Sequence, residues 1–244
     1  MSKVVLVSGS SVNLGKCIIL KYAESGFSCV ITYLNHEKEA LELRNEIINK
    51  YHIKALCVKC DITKDEDIDK LYNEVINEFG KIDVLINNAG VDIPSEFDSK
   101  NRRDYLKVLD TNLVSTFMMS KMFGNLMFEN KSGCIINISS NNAINSYDEW
   151  SLEYDSSKAG VNNLTHNLAN HYAPYVRVNS VAPGWILTGV TSNMNPNYID
   201  EEKKKILLNR FANMEEIAEL VYFISEKGTY INDSIIRIDG GKKC

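Results

Sequence analysis

A chain of 244 residues is long enough to bury a sizeable core and falls within the range of one large α/β domain. A formal net charge of -5 with scattered charges supplies no basic field for nucleic acid. No apolar run reaches membrane-spanning length and no signal-peptide pattern opens the chain, so the expectation is a cytoplasmic protein.

Strand and helix patterns alternate from end to end, which predicts an α/β fold: a doubly wound parallel sheet covered by helices on both faces. The first strand spans Lys3–Ser8, and a helix follows from about Leu14 to Ser25, ended by Gly26. A second strand at Cys29–Tyr33 leads into a polar helix over Glu37–Tyr51. The third strand ends at Cys60 and Asp61, and Asp65–Glu78 is helical, with Thr63 as its predicted cap. Val84–Asn87 is the fourth strand. One long helix is predicted over Asn101–Glu129, apolar almost all round and therefore buried on more than one side. Cys134–Ile138, a helix over Glu153–Tyr172, Arg177–Val181 and Ser234–Ile238 complete the pattern. Only 184–206 lacks a clear period and reads as an irregular lid or binding loop. No linker or internal repeat interrupts the chain, so residues 1–244 form one domain.

The six cysteines include Cys57 and Cys60, whose spacing imitates a metal or redox pair, but they lie on a predicted strand. Residues three apart on a strand face opposite ways, so no metal site is expected. The four histidines show no ligand spacing either.

Several short motifs stand at strand ends. Ser8-Gly9-Ser10-Ser11-Val12-Asn13-Leu14-Gly15 joins the first strand to the first helix, where backbone N–H groups and a helix terminus would meet a pyrophosphate. A plain strand-to-helix turn is the competing reading. Asn87-Asn88-Ala89-Gly90, Asp61-Ile62 and Pro183-Gly184 with Ile186 and Thr188 are each also compatible with turn chemistry. Tyr154 and Lys158 are four apart on a predicted helix, so both side chains share a face. An ammonium beside a phenol draws its pKa down from about 10, towards the range of a useful acid or base. Asn112 is a poor helix former in an apolar helix; alone it reads as a buried asparagine at a kink.

Taken in order, these motifs resemble the short-chain dehydrogenase/reductase family across essentially the whole chain. The glycine loop is similar to the family's Thr-Gly-x-x-x-Gly-x-Gly, with Ser8 for threonine and Asn13 for the middle glycine. The resemblance implies a Rossmann fold of about seven strands and an NAD(P)-dependent oxidoreductase that reduces a carbonyl to an alcohol. It implies a catalytic set of Asn112, Ser140, Tyr154 and Lys158. Tyr154 acts as general acid, Lys158 tunes it and holds the nicotinamide ribose, Ser140 donates to the substrate oxygen, and Asn112 organises a water that relays protons to Lys158. Ser139 is the neighbouring candidate for the serine role. Cofactor contacts carried over are Gly9, Ser10, Ser11, Asn13, Leu14, Gly15, Tyr33, Leu34, Asp61, Ile62, Asn88, Ala89, Gly90, Tyr154, Lys158, Pro183, Gly184, Ile186 and Thr188.

Tyr33 stands where an acid would favour NAD(H), so NADP(H) is expected, although Val12 occupies a position often basic in NADP-preferring relatives. The pattern is most similar to 3-oxoacyl-(acyl carrier protein) reductases, which implies a small-molecule or acyl-carrier-linked carbonyl substrate. A dehydrogenase for a sugar, polyol or steroid alcohol is the alternative, and a non-catalytic dinucleotide-sensing protein is the alternative of another class. Candidate substrate residues are Asn142, Tyr147, Trp150, Trp185 and Met194, and Arg102-Arg103 is a candidate basic patch. Relatives imply a homotetramer assembled through the Asn112 and Tyr154 helices, with Asp233 standing where glycine is common.

Overall fold

Strands β1 (Val4–Val7), β2 (Ser28–Tyr33), β3 (Ala55–Lys59), β4 (Val84–Asn87), β5 (Gly133–Ile138), β6 (Val176–Pro183) and β7 (Ile235–Ile238) pair in parallel in the order β3-β2-β1-β4-β5-β6-β7. The structure is a computed structural model that describes residues 2–144, 148–189, 191 and 194–242. β1, β2 and β4 are buried along their whole length because helices cover both sheet faces, which is why they read as continuous apolar runs.

Strand alternation divides the core in two. Val5, Val7, Cys29, Ile31, Ile86 and Ile136 face helices α1 (Asn13–Glu24), α2 (Glu37–Tyr51) and α8 (Met214–Glu226). Val4, Leu6, Val30, Leu85, Ile135 and Val178 face α3 (Asp65–Phe79), α5 (Ser115–Glu129) and α6 (Leu152–Tyr172) on the other side. Cys57 packs on the first core and Cys60 lies in the second, as a strand requires. Burial pushes their thiols up to about 11 and about 12, and no cluster fit for a metal occurs among the described residues.

Four elements differ from expectation. The long helix over 101–129 is α4 (Arg102–Leu109), a widened π turn over Asp110–Val114, and α5, so the asparagine sits in a backbone bulge rather than a regular helix. Its burial is also one-sided: Met119, Phe123 and Met127 enter the core, while Leu106, Val114 and Phe117 remain exposed. Within 184–206 lies α7 (Pro196–Lys204), started by Asn195, whose side chain accepts from Asn197 N–H at 2.9 Å. Helix α8 has no counterpart among the elements predicted from the sequence. Thr63 does not cap α3; its hydroxyl donates to Asp61 instead, at 2.7 Å. Gly26 and Asp233 fare as expected: Gly26 follows the end of α1 at φ +82°, and Asp233 takes φ +58°, a conformation that suits glycine. The Asp233 carboxylate is hydrogen-bonded with His166 Nδ1 at 2.5 Å.

No helix among the described residues is long and apolar enough to cross a membrane.

Arg177 on β6 carries the last helix. Its guanidinium donates to the carbonyls of Ile224, Ser225, Gly228 and Ile231 at 2.6–3.1 Å, closing the C-terminal end of α8 and the turn beyond it. A cation there also complements the helix dipole. Arg177→Ala leaves these carbonyls short of donors and is expected to cost about 2–3 kcal/mol in urea unfolding; an unchanged midpoint would show that solvent replaces the arginine.

Candidate active site

The sheet order turns back between β1 and β4, and in such folds the crevice beyond the strand ends is where ligands bind. Beyond β1, Gly9 adopts φ +62°, open to glycine at little cost. Its N–H donates to Thr32 Oγ1 at 3.0 Å, and Ser10 N–H donates to Thr32 O at 3.0 Å, so β2 holds the loop. The Ser8 hydroxyl accepts from Asn88 N–H at 2.9 Å and Ala89 N–H at 3.0 Å, tying the β4 turn to β1. Those bonds need a hydroxyl and not a β-methyl, which is why serine serves in the threonine position. Asn88 Nδ2 returns bonds to Ser8 O at 2.9 Å and Gly9 O at 3.3 Å.

A Cβ added at Gly15 would lie 2.4 Å from Gly9 O, so the first helix approaches its loop as only glycine allows. Asn13 takes φ +49°, the left-handed backbone its side chain tolerates, so the turn survives loss of the middle glycine. Val12 precedes α1 and offers no side-chain cap, which leaves first-turn N–H groups for an anion. Ser10 and Ser11 are buried beneath the loop and Leu14 packs on the core. This cradle fits a dinucleotide pyrophosphate.

At the end of β2, Tyr33 is buried and its hydroxyl donates to Glu37 at 3.0 Å, while Leu34 is exposed. The Asp61 carboxylate accepts from Thr63 N–H at 3.1 Å, and Ile62 packs on the second core. Pro183 ends β6, Ile186 bridges Ala212, and Thr188 N–H donates to Thr191 Oγ1 at 2.8 Å. A Cβ at Gly184 would lie 2.8 Å from Asp239 Cβ.

The proton-handling residues converge beside this cradle. Lys158 is 4 % exposed; Nζ donates to Ile138 O at 2.7 Å and lies 5.5 Å from the Tyr154 ring centroid. Burial lowers the ammonium to about 8. Tyr154 departs from expectation: burial pushes the phenol up to about 12, while a hydrogen bond with Ser140 pulls the other way and Asp92 and Asp155 add repulsion. Spacing brings the ammonium near the ring, but desolvation sets the direction of the phenol's shift.

The two serines separate cleanly. The Ser139 hydroxyl donates to Lys158 O at 3.2 Å and is spent on α6, whereas Ser140 meets the phenol and accepts from Asn142 N–H at 3.1 Å. Asn112 is 1 % exposed and fully engaged: Oδ1 accepts from Val91 N–H at 2.8 Å, and Nδ2 donates to Val91 O at 2.8 Å and Ser157 Oγ at 3.0 Å. Ser157 donates in turn to Tyr154 O at 2.7 Å. A Cβ on Gly90 would lie 3.2 Å from Asn112 Oδ1 and 3.5 Å from Lys158 Nζ, so glycine keeps that corner open.

On the outer side, Asn142 Nδ2 donates to Asp155 at 3.0 Å. Trp150 is exposed, and its carbonyl accepts from Lys100 Nζ at 2.8 Å; Lys100 also forms a buried ion pair with Glu153 at 2.7 Å. Trp185 is partly buried, stacks on Phe211, and its indole N–H donates to Glu202 at 2.8 Å. Met194 is partly buried in the turn before α7, with its N–H on Thr191 O at 3.3 Å. Tyr147 lies outside the described residues. Asp92, Asp155 and Ser157 border the site without having been singled out in sequence, although carboxylates on both sides of Tyr154 were a visible signal.

A family model for short chain dehydrogenases matches residues 3–199. The chain is a member of the short-chain dehydrogenase/reductase family. It is an oxidoreductase of that family, with NAD(P)(H) as the cofactor class. It is 36% identical over 241 residues to the 3-oxoacyl-[acyl-carrier-protein] reductase of Aquifex aeolicus, covering 98% of this chain and 96% of that one. A second relative, the 3-oxoacyl-[acyl-carrier-protein] reductase of Staphylococcus epidermidis, is 31% identical over 243 residues, with 99% of each chain covered. Among solved structures, acetoin dehydrogenase YohF from Salmonella typhimurium superposes with a TM-score of 0.89 at 26% identity, covering 99% of this chain and 96% of that one.

Proposed function

We propose that this short-chain dehydrogenase/reductase reduces a carbonyl group with NADPH, Tyr154 being the proton donor. The carrying observation is the meeting of the Tyr154 phenol and the Ser140 hydroxyl beside the buried Lys158 ammonium. With the cofactor's pyrophosphate held by the cradle, its nicotinamide would supply the hydride. A phenol held near 12 stays protonated at neutral pH, the state a donor needs. Ser140 donates to the same substrate oxygen as charge develops there. Lys158 holds the ribose hydroxyls and passes protons inward. Asn112 fixes the Val91 and Ser157 walls of the corner that Gly90 keeps open beside Lys158.

The substrate class closest to the whole-chain relatives is a 3-oxoacyl thioester, free or carried on an acyl carrier protein. Arg102 and Arg103 open α4 two residues beyond Lys100, whose side chain donates to the Trp150 carbonyl, and this supports a basic patch for the acidic carrier. NADPH consumption with an acetoacetyl thioester tests this reading; binding of NADPH without turnover of any carbonyl compound would favour the dinucleotide-sensing alternative.

NADP(H) over NAD(H) is supported by Tyr33 standing at the acid's position, its hydroxyl engaging the nearby acid Glu37. NADPH is expected to bind several-fold tighter than NADH in a fluorescence titration. Tighter NADH binding would mean that Glu37 rejects the extra phosphate. The exposed Leu106, Val114 and Phe117 supply an apolar face for a homotetramer in the cytoplasm, testable by sedimentation.

A further inference from the structure

The helix inside the 184–206 segment is held down by a charge. Among the nine residues of α7, Glu202 alone is buried, at 5 % exposed. A helix docked through an apolar stripe would bury aliphatic side chains there, and a carboxylate in that place is costly unless donors surround it. One indole and two ammonium groups surround it here. Trp185 Nε1 donates to Oε2 at 2.8 Å, Lys205 Nζ donates to Oε1 at 2.5 Å, and Lys242 Nζ stands 3.8 Å from Oε2. Lys242 also lies over the Trp185 ring, 5.6 Å from its centroid, and Phe211 stacks on the same ring. The backbone beside Trp185 is tied from other directions. Gly184 N–H donates to Ile238 O at 3.0 Å, Ala212 N–H donates to Trp185 O at 2.9 Å, and Leu187 N–H donates to Ala212 O at 2.8 Å.

We propose that Glu202 is a positioning residue for hydride transfer: by fastening α7 to the Trp185 indole, it fixes the segment from Gly184 to Thr188 against the nicotinamide end of the cofactor. The proposal rests on the carbonyl-reductase reading above and on the cofactor contacts that the family resemblance gives Gly184, Ile186 and Thr188. Backbone bonds tie this segment to Ile238 and Ala212, and the Trp185 side chain ties it to α7, so loss of the carboxylate frees one of three anchors. Reacting atoms must sit close and aligned, and a misplacement of about 1 Å costs on the order of 100-fold in rate. The contacts that carry affinity for the dinucleotide are made elsewhere, at the glycine cradle and at Lys158. Glu202 therefore acts on the rate far more than on binding.

Glu202→Leu is expected to lower kcat with an acetoacetyl thioester by roughly tenfold to a hundredfold while the Kd for NADPH stays within about threefold. Chemistry then limits turnover, so the primary isotope effect on kcat with NADPH deuterated at the transferred hydride should rise above the wild-type value. Glu202→Gln keeps an oxygen for the indole and should fall between. The anchor is also read without cofactor. In protein labelled with fluorotryptophan, the two tryptophans give two fluorine NMR resonances; that of Trp185 should shift in both variants while that of Trp150 holds. Wild-type kcat in Glu202→Leu, or an unmoved Trp185 resonance, would overturn the proposal. A loss of NADPH affinity that matches the loss of kcat, with the isotope effect unchanged, would do the same by showing a purely structural role. In each of those cases wild-type turnover leaves the reductase reading intact. A wild-type protein that binds NADPH but reduces no carbonyl compound would bring down both.

Discussion

Tyr154→Phe is expected to lower turnover by roughly 100- to 10,000-fold while NADPH affinity and the unfolding midpoint stay near wild type. The phenylalanine ring fills the same space and removes only the hydroxyl, the atom that meets Ser140. Neither neighbour replaces it as donor. Ser140 is placed to share a hydrogen bond with the substrate oxygen but has an aliphatic hydroxyl of much higher pKa. The Lys158 ammonium donates to Ile138 O at 2.7 Å and lies beneath the ring rather than in front of it. The high phenol pKa also gives the two directions opposite pH behaviour. Reduction needs the protonated phenol and should hold from neutral pH upwards, falling only in strong alkali. Alcohol oxidation needs the phenolate and should rise with pH. A Phe variant with wild-type turnover, or oxidation that slows as pH rises from 7 to 9, would remove Tyr154 from the proton-transfer step.

How much of this site can be read in sequence depends on the kind of physics involved. The strands are legible because a doubly covered parallel strand must be apolar on both faces, and Val4–Val7 and Val84–Asn87 say so locally. The glycine cradle is legible because Gly9 takes a positive φ and close backbone approach leaves no room for a Cβ at Gly15. At Asn112 the buried asparagine and a kink are legible, but the form of the kink, a π bulge, is not: one inserted residue in a helix shifts its phase without altering residue types. Helix α8 stood within reach, since Asn213 and Glu216 are spaced as a capping box and Asn213 N–H donates to that carboxylate at 2.9 Å. Ile217, Val221 and Ile224 continue the period into the core. The direction of the Tyr154 pKa was out of reach for another reason. Spacing along a helix shows which charges are near, while burial depends on loops such as 91–93 and 140–144 closing from elsewhere in the chain. Asp155 escaped notice because its partner Asn142 is distant in sequence and contact between them is made only by the fold.

Lys158→Met should abolish useful activity and yet make the cofactor-free protein more stable. Activity is expected to fall by at least about 100-fold, because the relay to Tyr154 ends at this ammonium and the ribose loses its anchor. The gain in stability has a separate origin. Lys158 is 4 % exposed, and burial takes its pKa from 10.5 to about 8. Below about pH 8 the folded protein carries a buried charge that the unfolded chain leaves in water, and the full penalty, about 3 kcal/mol, applies. Between 8 and 10.5 the unfolded chain binds more protons than the folded one, so stability rises with pH; above 10.5 the penalty is gone. Methionine removes the charge and fills the channel, but it forfeits the bond to Ile138 O, which offsets about half of the gain. The expected net change is a gain of about 1–2 kcal/mol at pH 7 that turns into a small loss near pH 10. Urea unfolding of both proteins at pH 7 and pH 10 checks this. A variant less stable than wild type at pH 7, or a gain independent of pH, would mean that the ammonium is well solvated in its pocket. With that penalty confirmed, the lysine is a residue kept against the interest of the fold, as sites tuned for proton transfer commonly are.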